Sequence, residues 1–385
     1  MSINPVNIKI DAVMTHKKGI VAEKSVSSED RVSLGNGGKK PEIFDRMNDL
    51  KSEAMKKSST VKPADEAYQK GFVTDFVDAR QVDNKLIELA ERFPDMITLH
   101  TRDYTTEGYD GKVESLQGPA PLRYIRIGAP DQDDETRSKK PGVFLIAAPH
   151  AREVVPPMVM LEAAEQLAVN FNPDSTDPKV QEVTELVRDV DIYIIGASNP
   201  DGLNYAIHDD PMWRKTRCTI PGSDEKGVDG NRNFDYLWVP GDPASQTYPG
   251  PYPESEPETK NMVQVVEDHP NIQFVADFHS YGEQIRIPIN VQDAEDLKKF
   301  QHYQKRMKDA IKEHRGKEYD KIESLVVNGA SDDYFYFVKG KFAFVIEMGG
   351  AFRPELDEAL QVKDENVNCV MELLRIARDE NQEMA

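Results

Sequence analysis

The chain has 385 residues, with 48 Lys and Arg against 68 Asp and Glu, for a formal net charge of −20. Such an acidic surface is a poor match for nucleic acid or an anionic membrane, both of which call for cations. No apolar run approaches the roughly 18 residues of a membrane-spanning helix, and Cys218 and Cys369 form neither a disulfide framework nor a CxxC pair.

The opening MSINPVNIKIDAV has no basic start followed by an apolar core and a small-residue cleavage site. The expectation is a reduced, cytoplasmic protein, with non-classical export left open. Residues 1–67 read as a flexible arm. Ser, Lys, Asn and Gly are frequent there and aromatics nearly absent, so too little apolar surface is available to offset chain entropy. One short helix, Pro41–Lys57, has room within it. Residues 1–70 carry 13 Lys and Arg against 10 Asp and Glu, and the rest of the chain 35 against 58, so the acidity belongs to the body over 68–385.

The body alternates helices and strands. Val82–Phe93 has apolar residues at helical spacing, and Met96–His100 and Leu122–Ile127 read as strands. Val143–Ala148 is a continuous apolar run, the pattern of a strand buried on both faces. Pro157–Asn170 is a helix with proline at its start. Val190–Gly196 is a second buried strand. Glu256–His269 is a helix, Gln273–Phe278 a strand, Leu297–His314 a helix, Lys341–Ile346 a strand and Asn366–Asp379 a closing helix. The fold class expected is α/β, a single three-layer domain. Its mixed, largely parallel sheet is covered by helices on both faces.

Three of these strands run into polar, metal-capable side chains. After Val143–Ala148 come Pro149, His150, Arg152 and Glu153; Gln273–Phe278 runs into His279; Lys341–Ile346 runs into Glu347. Open α/β sheets place their active sites outside the carboxyl ends of strands. Two histidines and a glutamate make an open catalytic zinc site, with a fourth position left for water or substrate. Each pairing is weak alone, since a His three residues before a Glu is common by chance. HExxH is absent, and neither cysteine is placed for a closed structural site.

Six motifs in order carry a resemblance to the zinc carboxypeptidases of the carboxypeptidase A type: PHARE (149–153), NPDG (199–202), WRKTR (213–217), GVDGNRN (227–233), FHSYG (278–282) and FAFVIEM (342–348). The resemblance covers roughly Tyr68 to the C-terminus. It implies one Zn2+ per chain held by His150, Glu153 and His279, with Glu347 as general base and Arg214 at the developing oxyanion. It further implies that Asn231 and Arg232 grip the substrate's terminal carboxylate and that Asp229 supports His150. The lesser reading of Asp229 is a turn residue before Gly230, and Arg152 reads as either a surface charge or a carboxylate aid.

GASDDYFYF (329–337) resembles the family loop lining the pocket for the terminal side chain, which would put Asp332 in the pocket and favour basic or diaminopimelate-like terminal residues. The other reading is that Ser331, Asp332 and Asp333 cap a helix. The family's mobile tyrosine is missing from Ile322–Gly329, where Leu325 falls closest to its position. The activity implied is removal of the C-terminal residue from peptides. The alternatives are a zinc hydrolase of peptidoglycan stem peptides, side-chain glutamates or small N-acyl amino acids, and an inactive binding protein on the same fold. The other histidines (16, 100, 208, 269, 302, 314) read as ordinary.

Overall fold

The computed structural model describes residues 67–320 and 327–384. The expected arm and its helix at Pro41–Lys57 therefore lie, apart from residue 67, outside the described residues.

The order of elements is α1 (Ala79–Arg92), β1 (Ile97–Thr105), β2 (Pro121–Ile127), α2 (Asp134–Ser138), β3 (Gly142–Ala147), α3 (Val155–Val169), α4 (Pro178–Asp189), β4 (Asp191–Ile195), α5 (Pro200–His208), α6 (Pro257–Asp268), β5 (Ile272–Ser280), β6 (Gln284–Arg286), α7 (Ala294–Arg315), α8 (Ser331–Phe337), β7 (Phe342–Met348) and α9 (Leu356–Met384). Local chemistry sets many of the boundaries. Asp78 and Gln81 form a reciprocal capping box on α1. Asp177 and Asp293 cap α4 and α7 through backbone N–H groups. Gly316, at φ 74°, ends α7 in the left-handed conformation that glycine adopts without strain.

The strands form one mixed seven-stranded sheet in the order β1-β2-β4-β3-β5-β7-β6. Its centre, β4-β3-β5-β7, is parallel. The edges close antiparallel, with β2 and β1 on one side and β6 on the other. Strand alternation divides the core between the two faces. Val143, Leu145 and Ala147 of β3 join Ile192 and Ile194 of β4 in the core under α1, α3, α4, α7 and α9. Phe144, Ile146, Tyr193 and Ile195 face the other way, against α6 and α8. This is the three-layer α/β domain expected.

Helix α3 has every residue buried, because it lies between the sheet and other helices. Proline at its start is tolerated, since the first-turn N–H groups have no intrahelical partner. Cys218 and Cys369 are both free.

Candidate metal centre

The site is built where β3, β5 and β7 end. Ala148 takes a φ of +55°, uncommon for a residue with a side chain, and the turn it makes carries His150 and Glu153 over the strand ends. From β5 comes His279. In the β5–β7 register His279 stands directly opposite Glu347, and in β6–β7 Gln284 stands opposite the same Glu347. Side chains two apart share a face, so Asp277 and His279, Val345 and Glu347, and Gln284 and Arg286 all lie on one side of the sheet.

His150, Glu153 and His279 are all buried, and their ligand atoms lie within 4.8 Å of one another. His150 Nδ1 is 2.8 Å from Glu153 Oε1 and 3.0 Å from His279 Nδ1. His279 Nδ1 is 3.2 Å from Glu153 Oε2. Both imidazoles thus turn the same nitrogen inward. Outward, His150 Nε2 meets Asp229 Oδ1 at 3.0 Å and His279 Nε2 meets Asp277 Oδ2 at 3.0 Å. With a metal bound, the outer carboxylates would keep the proton on each Nε2 and leave each Nδ1 lone pair for the metal. Without one, Glu153 faces the same two nitrogens, so the cluster is arranged to hold a cation, a proton or a metal, at its centre. The donor set, two nitrogens and a carboxylate, is one that zinc takes, and the three residues fit one Zn2+.

The surrounding charges agree. Burial opposes the ionised form of Glu153, yet His150 and His279 hold its pKa well below the ordinary carboxylate range. Burial likewise opposes a charged His279, but Asp277 and Glu153 hold its pKa well above the usual imidazole value. The cluster is rich in anions and attracts positive charge. Glu347 is different. Burial pushes its pKa up, Glu153 adds to this, and the two histidines oppose it. Its carboxylate has no hydrogen bond from any described residue.

The other expected residues gather at the same place. Arg214 donates through Nε and Nη2 to Asp229 Oδ2, at 3.0 and 2.8 Å, and its Nη1 is 4.0 Å from Glu153. Burial works against its charge, but Asp229 and Glu153 outweigh that and raise its pKa. Asp229 therefore ties His150 to Arg214. It also accepts the Asn231 N–H at 3.0 Å.

Asn231 accepts the Ser331 N–H at 2.8 Å and sets its Nδ2 3.4 Å from His279 Nε2. Arg214, Asn231 and Arg232 line one cavity with Glu347 and Arg286. Arg152 stacks on Phe352 at 3.9 Å, and its buried Nε has no partner among the described residues.

Asp332 is buried beside this cavity rather than on its wall, with Oδ2 3.7 Å from Arg286 Nη2. Among the described residues it caps no backbone group, and its Oδ1 has no partner. Asp333, its neighbour, accepts the Ile289 N–H at 2.9 Å. Leu325 lies outside the described residues. Four of the remaining histidines have structural partners: His100 stacks on Tyr124, His269 bonds the Tyr124 hydroxyl, His208 meets Asp78 and His302 lies edge-on to Tyr303.

Two residues escaped the sequence reading. Asp277 sits two positions before His279, and strand periodicity alone would have put it on the same face. Arg286 sits in a three-residue strand that leaves no periodic signal.

A family model described as zinc carboxypeptidase matches residues 82–368. The chain belongs to the zinc carboxypeptidase family. Among relatives, it is 32% identical to carboxypeptidase A2 of Mus musculus over 223 residues, which is 55% of this chain and 52% of that one. It is 29% identical to carboxypeptidase B of Rattus norvegicus over 273 residues, 68% of this chain and 60% of that one. The chain thus spans about half the length of most of the curated relatives it matches.

Among solved structures, thrombin activatable fibrinolysis inhibitor shares the fold with a TM-score of 0.68 at 21% identity, covering 86% of this chain and 81% of that one. Carboxypeptidase A from Helicoverpa armigera does so with a TM-score of 0.64 at 23% identity, covering 87% and 81%.

Proposed function

We propose that this chain is a zinc-dependent carboxypeptidase that hydrolyses the C-terminal amide bond of peptides. One observation carries the reading. The buried His150–Glu153–His279 cluster opens onto a cavity that also holds Glu347, whose carboxylate has no hydrogen bond among the described residues, and the guanidinium groups of Arg214 and Arg232. The names of the carboxypeptidase relatives point the same way.

His150, Glu153 and His279 would hold the zinc, which when bound supplies Lewis acidity toward a carbonyl and acidifies water. Glu347 takes the proton of the attacking water and returns it to the departing amine. Its surroundings suit the first half of this task, because a carboxylate whose pKa is raised is a stronger base toward the water's proton. Arg214, held by Asp229 at the cavity wall, offers a fixed cation to the oxygen on which charge develops. Arg232 presents a fork that fits a carboxylate, with Asn231 beside it. Gripping that terminal carboxylate is what would confine cleavage to the last bond. Arg152 stacks on Phe352, which lines the same cavity, and adds a cation behind that wall.

A lean toward Lys, Arg or diaminopimelate-like terminal residues would need Asp332 to reach the terminal side chain, and Asp332 does not line the cavity. The test is a zinc-loaded chain assayed on blocked peptides with different terminal residues, with and without a chelator. Hydrolysis that is lost with the metal and restored by added zinc is expected. Hydrolysis that a chelator leaves intact would refute the reading.

A further inference from the structure

Resting on the carboxypeptidase reading, we infer that Arg286 sets the charge of the pocket for the terminal side chain. It selects a residue whose side chain ends in a carboxylate. Arg286 lines the cavity alongside Glu347, Arg232 and Gln284, whereas Asp332 does not. The guanidinium is held on a strand, with Arg286 opposite Val345 and Gln284 opposite Glu347, so it projects on the face that carries the metal cluster.

Behind it, Asp332 is 2% exposed and lies 3.7 Å from Arg286 Nη2. That separation is too long for a hydrogen bond and close enough to hold a charge in place. Among the described residues Arg286 donates no hydrogen bond, so its donors are left for a ligand.

These placements change what a substrate would meet. A Lys or Arg side chain entering the cavity faces Arg286 and Arg232 before it can reach Asp332. To pair with Asp332 it must displace Arg286 and leave that half-buried guanidinium without its counter-ion, which is unfavourable. A side-chain carboxylate instead receives charge-assisted N–H bonds from Arg286, with Asp332 still in place behind. Asp332 then acts as the anchor of Arg286. Arg232 is left for the backbone carboxylate of the same residue. Glutamate meets this requirement, and so does diaminopimelate through the carboxylate at its far end.

The test measures kcat/KM of the full zinc-loaded chain on four blocked dipeptides ending in Glu, meso-diaminopimelate, Lys or Leu. Peptides ending in Glu or diaminopimelate should exceed the Lys peptide by about tenfold or more, and the order of those two names the source of the carboxylate. Arg286→Leu should collapse that ratio, Arg286→Glu should invert it, and Arg286→Lys should keep its sign. A Lys peptide that leads in the unaltered chain overturns the assignment, as does a ratio unmoved by Arg286→Leu. If no peptide is hydrolysed with zinc bound, the carboxypeptidase reading fails. Binding of the same peptides to the zinc-loaded Glu347→Gln chain then decides the pocket separately. Tighter binding of Glu or diaminopimelate than of Lys supports Arg286, and the reverse order or no binding at all overturns it.

Discussion

At Glu347 the environment and the proposed task coincide: a half-buried carboxyl, free of hydrogen bonds from described residues, beside a cluster shaped for a metal. Glu347→Gln removes the proton acceptor and keeps the shape. Zinc content measured by elemental analysis should match the unaltered chain, and turnover should fall by about 10²–10⁴. Asp277→Ala acts one shell further out. It releases the outer nitrogen of His279, and zinc affinity measured by chelator competition should weaken by about 10–100-fold.

Asp201 gives a pH test away from the metal. Burial raises its pKa to about 6, although it accepts the Gly108 N–H at 2.8 Å. A carboxyl with a folded pKa above its unfolded value of about 3.9 binds the proton more tightly when folded. The folded state therefore loses stability as pH rises from about 4 to 6, and the penalty is complete above that range. Asp201→Asn removes the titration. Relative to the unaltered chain, its stability in urea should improve by roughly 2 kcal/mol between pH 4 and pH 7. A stability difference that stays flat across that range would refute the assignment. The ligands and Glu347 were legible in sequence because each follows an apolar run that could only be a strand. Arg286 was not, since its charge acquires meaning only through its neighbours in space.

At the scale of elements, the long apolar strands and amphipathic helices were readable, and the charged or very short ones were not. The closing helix begins at Leu356, ten residues before the periodic stretch that announced it. Its first turns, LDEALQVKDE, look solvated, yet Lys363 and Glu365 are buried there against partners from distant segments. Helix α5 starts inside NPDG, where proline and glycine signal a turn, while Asn199 caps it through the Gly202 N–H.

Loop geometry also carries weight at this scale. Gly329 has φ +67°, and a Cβ there would lie 2.1 Å from the Arg232 carbonyl oxygen. Gly329→Ala must therefore shift the backbone that presents Arg232. The expected result is a KM raised by an order of magnitude or more, by the sensitivity of catalysis to a misplacement of about 1 Å. Unchanged kinetics on a folded variant would detach this glycine from the substrate site.

Across the whole molecule, the first described segment is fastened to the sheet's covering helices by one buried carboxylate. Glu162 accepts the N–H groups of Gly71 and Val73, at 2.6 and 2.8 Å, and pairs with Lys363 Nζ at 3.2 Å. Lys363 in turn donates to the Val73 carbonyl at 2.8 Å. Lys363→Met strands the carboxylate, and the urea midpoint should fall by the equivalent of about 3–5 kcal/mol.

The direct pairing of His279 with Glu347 has a further consequence for how such a chain can change over evolutionary time. The 68 residues from one to the other can gain or lose loop segments cheaply, because ring-closure entropy grows only slowly with length. One residue inserted within β7 ahead of Glu347 would rotate that carboxylate into the oily layer and bring a neighbouring apolar side chain to the reaction chamber. Drift is thus permitted in the connections and forbidden in a strand seven residues long.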